Sequence, residues 1–231
     1  MNVAIIPARG GSKRIPKKNI KDFCGNPMIS YSIKVALKSK IFQRVIVSTD
    51  DNEIAKVSES FGAEVPFIRP KNISDDFATT GDVMSHATKW LKENVNHLAS
   101  VCCIYATAPF IKKDDLIKAY NLFKENEWSF VFSATSFPFP IQRAIKLNEE
   151  GSIKMFQPEH FESRSQDLTE SFHDAGQFYF GKPESWINRD KIFLANSSIF
   201  ILPRWRVQDI DTTEDWSYAE KLFNIIDKKI D

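Results

Sequence analysis

The sequence of 231 residues has few cysteines, few histidines and almost no net charge. The three cysteines are Cys24 and the neighbours Cys102 and Cys103, with no C-x-x-C spacing and no histidine close by. This pattern gives no support to a zinc site or a disulfide framework. The formal net charge of +1 likewise gives no support to a general attraction to nucleic acid or to an acidic membrane surface.

Long apolar runs are absent as well. No run approaches the roughly 20 residues that a membrane-spanning helix needs. The apolar stretch at the N-terminus is short, and basic residues follow it, whereas they precede the apolar core of a signal peptide. With the thiols expected to be reduced, we predict a cytoplasmic protein that has no membrane contact.

Three sequence signatures of common enzyme classes are also missing. The chain contains neither G-x-x-x-x-G-K-[ST] nor G-x-G-x-x-G, which excludes the standard P-loop and dinucleotide fingerprints. It has no G-x-S-x-G elbow, so serine hydrolase chemistry has no support.

What the chain does contain is an alternation of short apolar runs with amphipathic segments of about 10–15 residues, which predicts βαβ units. We expect one α/β domain over residues 1–231, with a mostly parallel sheet flanked by helices. The predicted strands are Val3–Pro7, Arg44–Ser48, Glu64–Ile68, Ser100–Tyr105, Ser129–Ala134, Gln177–Phe180 and Ser198–Leu202. The predicted helices are Pro27–Ser39, Asn52–Phe61, Thr79–Asn94, Asp114–Glu125 and Thr213–Lys228.

One segment departs from this alternation. Residues 137–175 are rich in proline and polar residues and hold only two short β-like stretches, Ala144–Leu147 and Ile153–Phe156. We interpret the segment as an excursion from the core, acting as a lid or a dimerisation arm.

The first predicted strand is followed by a glycine-containing basic stretch. Six cations surround Gly10 and Gly11 without an intervening acid: Arg9, Lys13, Arg14, Lys17, Lys18 and Lys21. Ligands of α/β proteins bind at the carboxyl ends of the strands, and exposed glycine amides can hold phosphate oxygens. We therefore predict a phosphate site formed by the two glycines with Arg9, Lys13 and Lys18. The alternative is a solvated basic loop, which we retain for the other three cations.

A pair of acids near the C-terminus, Asp209 and Asp211, has the spacing i, i+2. Side chains with this spacing point the same way on an extended segment, so both carboxylates could bind one Mg²⁺. Alternatively, Asp211 or Thr212 caps the final helix.

A third stretch, Phe172 to Tyr179, could close over a ligand, although a turn leading into a strand explains it equally well.

Taken together, these stretches resemble a known family. The run I-P-A-R-G-G-S-K-R-I-P-K-K-N, with S-T-D-D, A-T-A-P and D-I-D-T further along, resembles the CMP-sugar synthetases that activate nonulosonic acids. YATAPF, FPFPIQRA and HDAGQFY are most similar to the bacterial pseudaminic acid cytidylyltransferases. Sialic acid enzymes usually have Gln-Pro-Thr-Ser-Pro where this chain has Tyr105-Ala106-Thr107-Ala108-Pro109.

The resemblance implies a Rossmann-like nucleotide-diphospho-sugar transferase fold, CTP as nucleotide donor, a Mg²⁺ requirement and a homodimer. In that family an excursion from one subunit reaches over the active site of its neighbour, and residues 137–175 fit this part. The implied reaction joins CTP and pseudaminic acid, a 5,7-diacylamido nonulosonic acid, into CMP-pseudaminic acid and pyrophosphate for surface glycan or flagellin glycosylation. The alternatives are a CMP-sialic, CMP-legionaminic or CMP-Kdo synthetase, a non-catalytic nucleotide-binding regulator and a nucleic-acid-binding module.

The resemblance also implies site residues. The nucleotide set is Ala8, Arg9, Gly10, Gly11, Ser12, Lys13, Lys18, Asn19, Thr79, Thr80, Ala106 and Thr107. Arg9, Lys18 and Asp211 are the expected catalytic residues, and Asp209 and Asp211 the expected metal ligands. For the sugar we expect Gln142, Arg143, Arg164, Gln166, His173 and Gln177, the two arginines because a carboxylate favours a bidentate partner.

Overall fold

The apolar runs of the sequence form a central six-stranded sheet in a computed structural model that describes residues 1–227. The strands are β1 Asn2–Pro7, β2 Asp22–Phe23, β3 Asn26–Pro27, β4 Arg44–Ser48, β5 Ser100–Ile104, β6 Phe130–Ser136, β7 Ile145–Leu147, β8 Ile153–Met155, β9 Phe172–Gly181 and β10 Ser197–Ile201. The helices are α1 Met28–Ser39, α2 Asn52–Ser60, α3 Thr80–Asn94, α4 Lys113–Glu125, α5 Pro183–Asn188 and α6 Thr213–Asp227. None of the helices in this part of the chain is long and apolar enough to cross a membrane.

The strands of the central sheet lie in the order β10-β6-β9-β5-β1-β4, and most of its strand pairs are parallel. β1 pairs in parallel with β4 and with β5, and β10 pairs in parallel with β6. The exception is β9, which runs antiparallel between β5 and β6. The expected α/β fold with a mostly parallel sheet is therefore confirmed, and β9 adds a reversed strand that the pattern did not predict.

Both faces of the sheet are covered, which explains why β1 is a continuous apolar run. Ala4 and Ile6 belong to one buried cluster, which includes residues of α1 and α4. Val3 and Ile5 belong to a second cluster with residues of α3 on the opposite face. The site-bearing loop after β1 therefore leaves a strand that is fixed on both sides.

A third apolar cluster joins the two ends of the chain. Ile15 and Phe23, which follow β1, pack with Ile210 and Trp216 near the C-terminus. The rings of Phe23 and Trp216 meet edge to face at 5.4 Å. This cluster brings the basic loop, residues 8–21, against the segment that holds the two C-terminal acids.

Two predicted segments differ from the structure. Glu64–Ile68 is not a strand but makes two isolated bridges, to Ile46 and Thr49, because Pro66 lacks the N–H that a ladder needs. The excursion is shorter than residues 137–175, because β9 already begins at Phe172 and pairs with β6. Within the excursion, β7 and β8 form a separate antiparallel hairpin; below, residues 137–171 are called the arm.

One difference concerns a helix. The short helix α5 was not predicted from the sequence, although its proline in the first turn is a usual start signal. Its Trp186 is buried and donates from Nε1 to the carbonyl oxygen of Val101 at 3.0 Å. In the final helix, the predicted last residue, Lys228, lies outside the described residues.

Candidate active site

The basic loop, the first residue of α3, the segment after β5 and the C-terminal acid Asp211 line a cavity of about 240 Å³. We call it the cation cavity because four cations line it. Its lining residues are Pro7, Arg9, Ser12, Lys13, Arg14, Ile15, Lys18, Asn19, Thr80, Tyr105, Ala106, Thr107 and Asp211. Nine of these thirteen residues are among those predicted for the nucleotide or for catalysis, and they come from four separate parts of the sequence.

The path of the basic loop depends on Gly10 and Asn19. The Gly10 N–H donates to Asp50 Oδ1 at 3.0 Å, and a Cβ at Gly10 would lie 2.7 Å from Asp51 Oδ2. The buried Asn19 donates from Nδ2 to the carbonyl oxygen of Arg9 at 2.9 Å. In this structure the Gly10 amide thus donates to a carboxylate, and the glycine allows the close approach of Asp51. Its use by a phosphate oxygen stays a prediction.

An acid that was not predicted pairs with two of the cations. Asp76 lies 2.8 Å from Arg9 Nη1 and 2.5 Å from Lys13 Nζ. Arg9 also donates to the backbone carbonyl of Asp75 at 2.8 Å. The hydrogen bond from Lys13, with the charges of Lys13 and Arg9, holds the pKa of Asp76 below its ordinary value. One loop carboxylate thus pairs with two cations of the cavity.

Asp211 pairs with the other two cations. Its carboxylate lies 2.8 Å from Arg14 Nη2 and 3.3 Å from Lys18 Nζ, and Lys18 also donates to the carbonyl oxygen of Ile210 at 2.7 Å. Arg14, which the sequence left among the solvated cations, therefore belongs to the cavity. Nothing in the residue spacing distinguishes it from its neighbours, because the distinction depends on the three-dimensional path of the loop.

The two remaining cations of the loop lie outside the cavity. Lys17 pairs with Glu53 at 2.5 Å. Lys21 lies over the ring of Trp216, with Nζ 4.5 Å from the ring centroid. Their separation from the phosphate-site candidates agrees with the sequence-based grouping.

The two C-terminal acids flank Ile210, which is buried in the third apolar cluster. Desolvation, and next the charge of Asp211, raise the pKa of Asp209 above its ordinary value. The helix cap is supplied one residue further on: Asp215 Oδ2 accepts from the backbone N–H of Thr212 at 2.8 Å, and Thr212 Oγ1 accepts from the Asp215 N–H at 3.2 Å. Thr212 and Asp215 therefore cap α6.

These acids are a suitable donor pair for a magnesium ion. Burial, and second the charge of Asp211, raise the pKa of Asp209, and a bound cation would relieve the repulsion between the two carboxylates. Mg²⁺ commonly takes one or two carboxylates together with water and substrate phosphates. Over residues 1–227 there is no cluster of three or more histidine, cysteine or acidic side chains suited to a metal. The residues present fit a cation held jointly with substrate phosphates.

A second cavity of about 410 Å³ adjoins the first. Its lining residues are Thr80, Gly81, Tyr105, Asp174, Tyr179, Trp186, Lys191, Ile192 and Phe193. We call it the apolar cavity. Tyr179 donates its hydroxyl to Asp174 Oδ2 at 2.6 Å, which orients the carboxylate at its wall. Sequence reasoning missed this cavity because its walls come from four distant segments and most of its side chains are those of an ordinary core.

Several predicted nucleotide and metal residues lie outside the lining of both cavities. These are Ala8, Gly10, Gly11, Thr79 and Asp209. Thr79 instead caps α3, with Oγ1 accepting from the Asp82 N–H at 3.2 Å. Gly11 is exposed, and a Cβ added there would meet nothing within 4 Å.

The six predicted sugar residues also lie outside the lining of both cavities: Gln142, Arg143, Arg164, Gln166, His173 and Gln177. The structure does not support a sugar contact by Gln177, because its side chain is buried and donates from Nε2 to the carbonyl oxygen of Arg206 at 2.7 Å. His173 packs on the ring of Phe137, with ring centroids 4.8 Å apart.

The other four belong to the arm. Arg164 lies 3.2 Å from Asp167, and Gln142 donates from Nε2 to the carbonyl oxygen of Thr169 at 2.9 Å. Arg143 lines a separate recess within the arm itself, and Gln166 is exposed. Within one chain, these side chains make no contribution to either cavity.

The fold and the cavities can now be compared with known proteins. Residues 3–174 match the cytidylyltransferase family profile. The chain is 51% identical over 224 residues to a pseudaminic acid cytidylyltransferase of Campylobacter jejuni, covering 97% of each chain.

This chain belongs to the cytidylyltransferase family. It is therefore a nucleotidyltransferase, and the resemblance drawn from its motifs is confirmed. A Helicobacter pylori relative of this cytidylyltransferase is 36% identical over 209 residues, which are 90% of this chain but 40% of that protein. The Helicobacter pylori protein is named pseudaminic acid cytidylyltransferase and UDP-2,4-diacetamido-2,4,6-trideoxy-beta-L-altropyranose hydrolase.

Among solved structures, the cytidylyltransferase resembles a CMP:2-keto-3-deoxy-manno-octonic acid synthetase complexed with CTP, with a TM-score of 0.69 and 17% identity over 96% of this chain and 98% of that one. At this identity the likeness supports the nucleotidyltransferase fold only.

Proposed function

We propose that this cytidylyltransferase joins CTP and pseudaminic acid to give CMP-pseudaminic acid and pyrophosphate, for the glycosylation of surface glycans or flagellin. The observation that carries the proposal is the full-length similarity, at 51% identity, to a protein named for that activity. The cation cavity agrees with it, because four cations at the carboxyl end of β1 suit a triphosphate.

In the proposed reaction, the anomeric oxygen of the sugar attacks the α-phosphorus of CTP. A bond forms between that oxygen and the α-phosphorus, the bond from the α-phosphorus to the bridging oxygen breaks, and pyrophosphate leaves. The proton of the sugar hydroxyl passes to solvent. Transfers of this kind depend on in-line positioning and on stabilisation of charge.

The chain's own side chains would supply both. Arg9 and Lys13 would release Asp76 and bind the phosphates instead, because both of their contacts with Asp76 are partly exposed to solvent. Lys18 is better shielded, with 18% of its side chain exposed, so it would act in a lower dielectric on the charge that develops on the leaving pyrophosphate. Ser12, Thr107 and Ala106 complete the wall around the nucleotide.

The acids Asp209 and Asp211 would hold the magnesium ion. When bound, the ion supplies charge neutralisation on phosphate oxygens and can lower the pKa of the attacking hydroxyl. Asp211 would then exchange its contacts with Arg14 and Lys18 for the ion, which would leave these two cations for phosphate oxygens.

The apolar cavity is our candidate for the sugar. A 5,7-diacylamido sugar carries acyl methyl groups that suit walls such as Trp186, Ile192 and Phe193, while Asp174 and Lys191 offer polar contacts. Its shared wall with the cation cavity would place the sugar next to the triphosphate.

We also propose a homodimer formed through the arm. The arm exposes large apolar side chains, including Phe139 at 78%, Leu147 at 71% and Ile153 at 68%. A lone two-stranded hairpin is marginally stable in water, and an exposed apolar surface of this kind is typical of an interface. In a dimer, Arg143 and Arg164 of the arm could serve the neighbouring sugar site, with the reaction in the cytoplasm where CTP is available.

A substrate panel tests the function. The enzyme is incubated with CTP, Mg²⁺ and pseudaminic, legionaminic, sialic or Kdo acid in turn, and products are detected by mass. We expect CMP-pseudaminic acid to form with the highest kcat/KM. Preferential formation of another CMP-sugar would reassign the substrate, and the absence of any product would reject the function.

A further inference from the structure

The two cavities share two lining residues, Thr80 and Tyr105. Thr80 is the first residue of α3, and Tyr105 follows directly after β5. Their hydroxyl oxygens lie 3.3 Å apart, and either one can be the donor. The wall between a cation-lined space and an apolar space is thus marked by a pair of hydroxyl groups.

Tyr105 is fixed from several directions. Its backbone N–H donates to the carbonyl oxygen of Gln177 at 2.9 Å, and its own carbonyl accepts from the Ser32 hydroxyl at 2.7 Å. Its ring lies against that of Tyr179, with centroids 5.5 Å apart. A side chain held in this way is oriented before any substrate binds, which lowers the cost of orienting a reactant against it.

The phenol of Tyr105 is a donor rather than a base. Burial raises its pKa above the ordinary value of a tyrosine, so its proton is retained at neutral pH. A neutral hydroxyl can donate to a phosphate oxygen or a sugar oxygen without adding charge to the cavity.

We propose that the hydroxyls of Tyr105 and Thr80 contact the reacting oxygens and align the sugar with the α-phosphorus. The inference rests on the proposed function, which puts the triphosphate in one cavity and the sugar in the other. Reacting atoms must approach to about 3–3.5 Å, and substrates in two adjoining cavities come that close at their shared wall. A donor placed there strengthens its hydrogen bond as charge develops in the transition state.

The test is Tyr105→Phe, which removes one oxygen and keeps the ring. We expect kcat for CMP-sugar formation to fall about 100-fold, with KM for CTP and for the sugar within about threefold of wild type, because the lost contact acts in the transition state. The matched control is Tyr120→Phe: that hydroxyl accepts from Asn2 Nδ2 at 2.9 Å and lines neither cavity. The control should keep the wild-type kcat.

A second pair of variants covers the case in which Tyr105→Phe fails to fold. Thr80→Val should lower kcat, and Thr80→Ser, which restores the hydroxyl, should recover most of it. The inference would be overturned if Tyr105→Phe left kcat unchanged or raised only KM, or if Tyr120→Phe lost as much activity as Tyr105→Phe. It would also be overturned if Thr80→Ser failed to recover the activity that Thr80→Val loses. A wild-type enzyme that makes no CMP-sugar would instead reject the proposed function.

Discussion

Replacing Lys18 by methionine tests whether the ammonium group of this residue serves catalysis or only the stability of the fold. The change removes the ammonium group and keeps a side chain of similar length. In the structure this group donates to the carbonyl oxygen of Ile210 at 2.7 Å and lies 3.3 Å from Asp211. It thus connects the two ends of the chain and is also a cation of the proposed phosphate site.

The two uses differ in expected magnitude. Loss of the hydrogen bond to Ile210 and the contact with Asp211 should lower the free energy of unfolding by about 1–3 kcal/mol, a small part of the 5–15 kcal/mol typical of domains. Loss of a donor to developing phosphate charge should raise the activation free energy by about 2.7–4 kcal/mol, or about 10²–10³ in kcat/KM. The activity should therefore collapse while the protein remains folded.

The assay is steady-state pyrophosphate release from CTP and pseudaminic acid, with thermal unfolding measured in parallel. Lys17→Met is the matched control, because this adjacent lysine pairs with Glu53 outside the cavity. We expect it to stay within about twofold of wild type, as surface ion pairs contribute little. The reasoning is refuted if Lys18→Met retains kcat/KM within about threefold of wild type, or if the two variants lose activity equally.

Three further predictions concern the acids of the site. Asp211→Asn should abolish Mg²⁺-dependent pyrophosphate release in a protein that unfolds cooperatively, and full activity would reject the metal role. Asp76→Asn should bind inorganic tripolyphosphate more tightly than wild type in calorimetry, because it frees two partly exposed cations. The control Glu53→Gln frees only Lys17, outside the cavity, and should bind no more tightly than wild type. Equal or weaker binding by Asp76→Asn would contradict this prediction. Because the pKa of Asp209 is raised, its carboxylate takes up a proton at a higher pH than an ordinary aspartate as the pH falls, so Mg²⁺ activation should weaken early on acidification. Asp209→Asn should lose that pH dependence in Mg²⁺ titrations at several pH values, and a pH-independent wild type would argue against metal binding at Asp209.

Several residues that the sequence predicted to act together line one cavity in the structure, and their position has a simple geometric cause. Arg9, Lys18 and Thr107 all follow strands whose carboxyl ends meet at one edge of the sheet, so their position could be predicted from the strand pattern alone. Asp211 could be added to this group because side chains alternate along an extended segment. With Ile210 buried, its neighbours on either side are expected to point away from the core.

What could not be predicted depends on tertiary packing. Asp76 looks like any loop acid until α3 and the basic loop are placed side by side. Gln177 looks like a polar residue suited to a sugar, but the register of β9 turns its amide toward the carbonyl of Arg206. The apolar cavity needs the reversed strand β9 and the turn at Ile192 to be in place, and neither follows from local patterns.

The most direct test of the central claim follows the phosphorus of CTP itself. CTP labelled with ³²P at the α-position or at the γ-position is incubated with the enzyme, Mg²⁺ and pseudaminic acid, and the products are separated. Attack at the α-phosphorus predicts that the α-label appears in the CMP-sugar and the γ-label in pyrophosphate. Recovery of the γ-label on the sugar, or release of the α-label as free CMP without sugar nucleotide, would contradict the account.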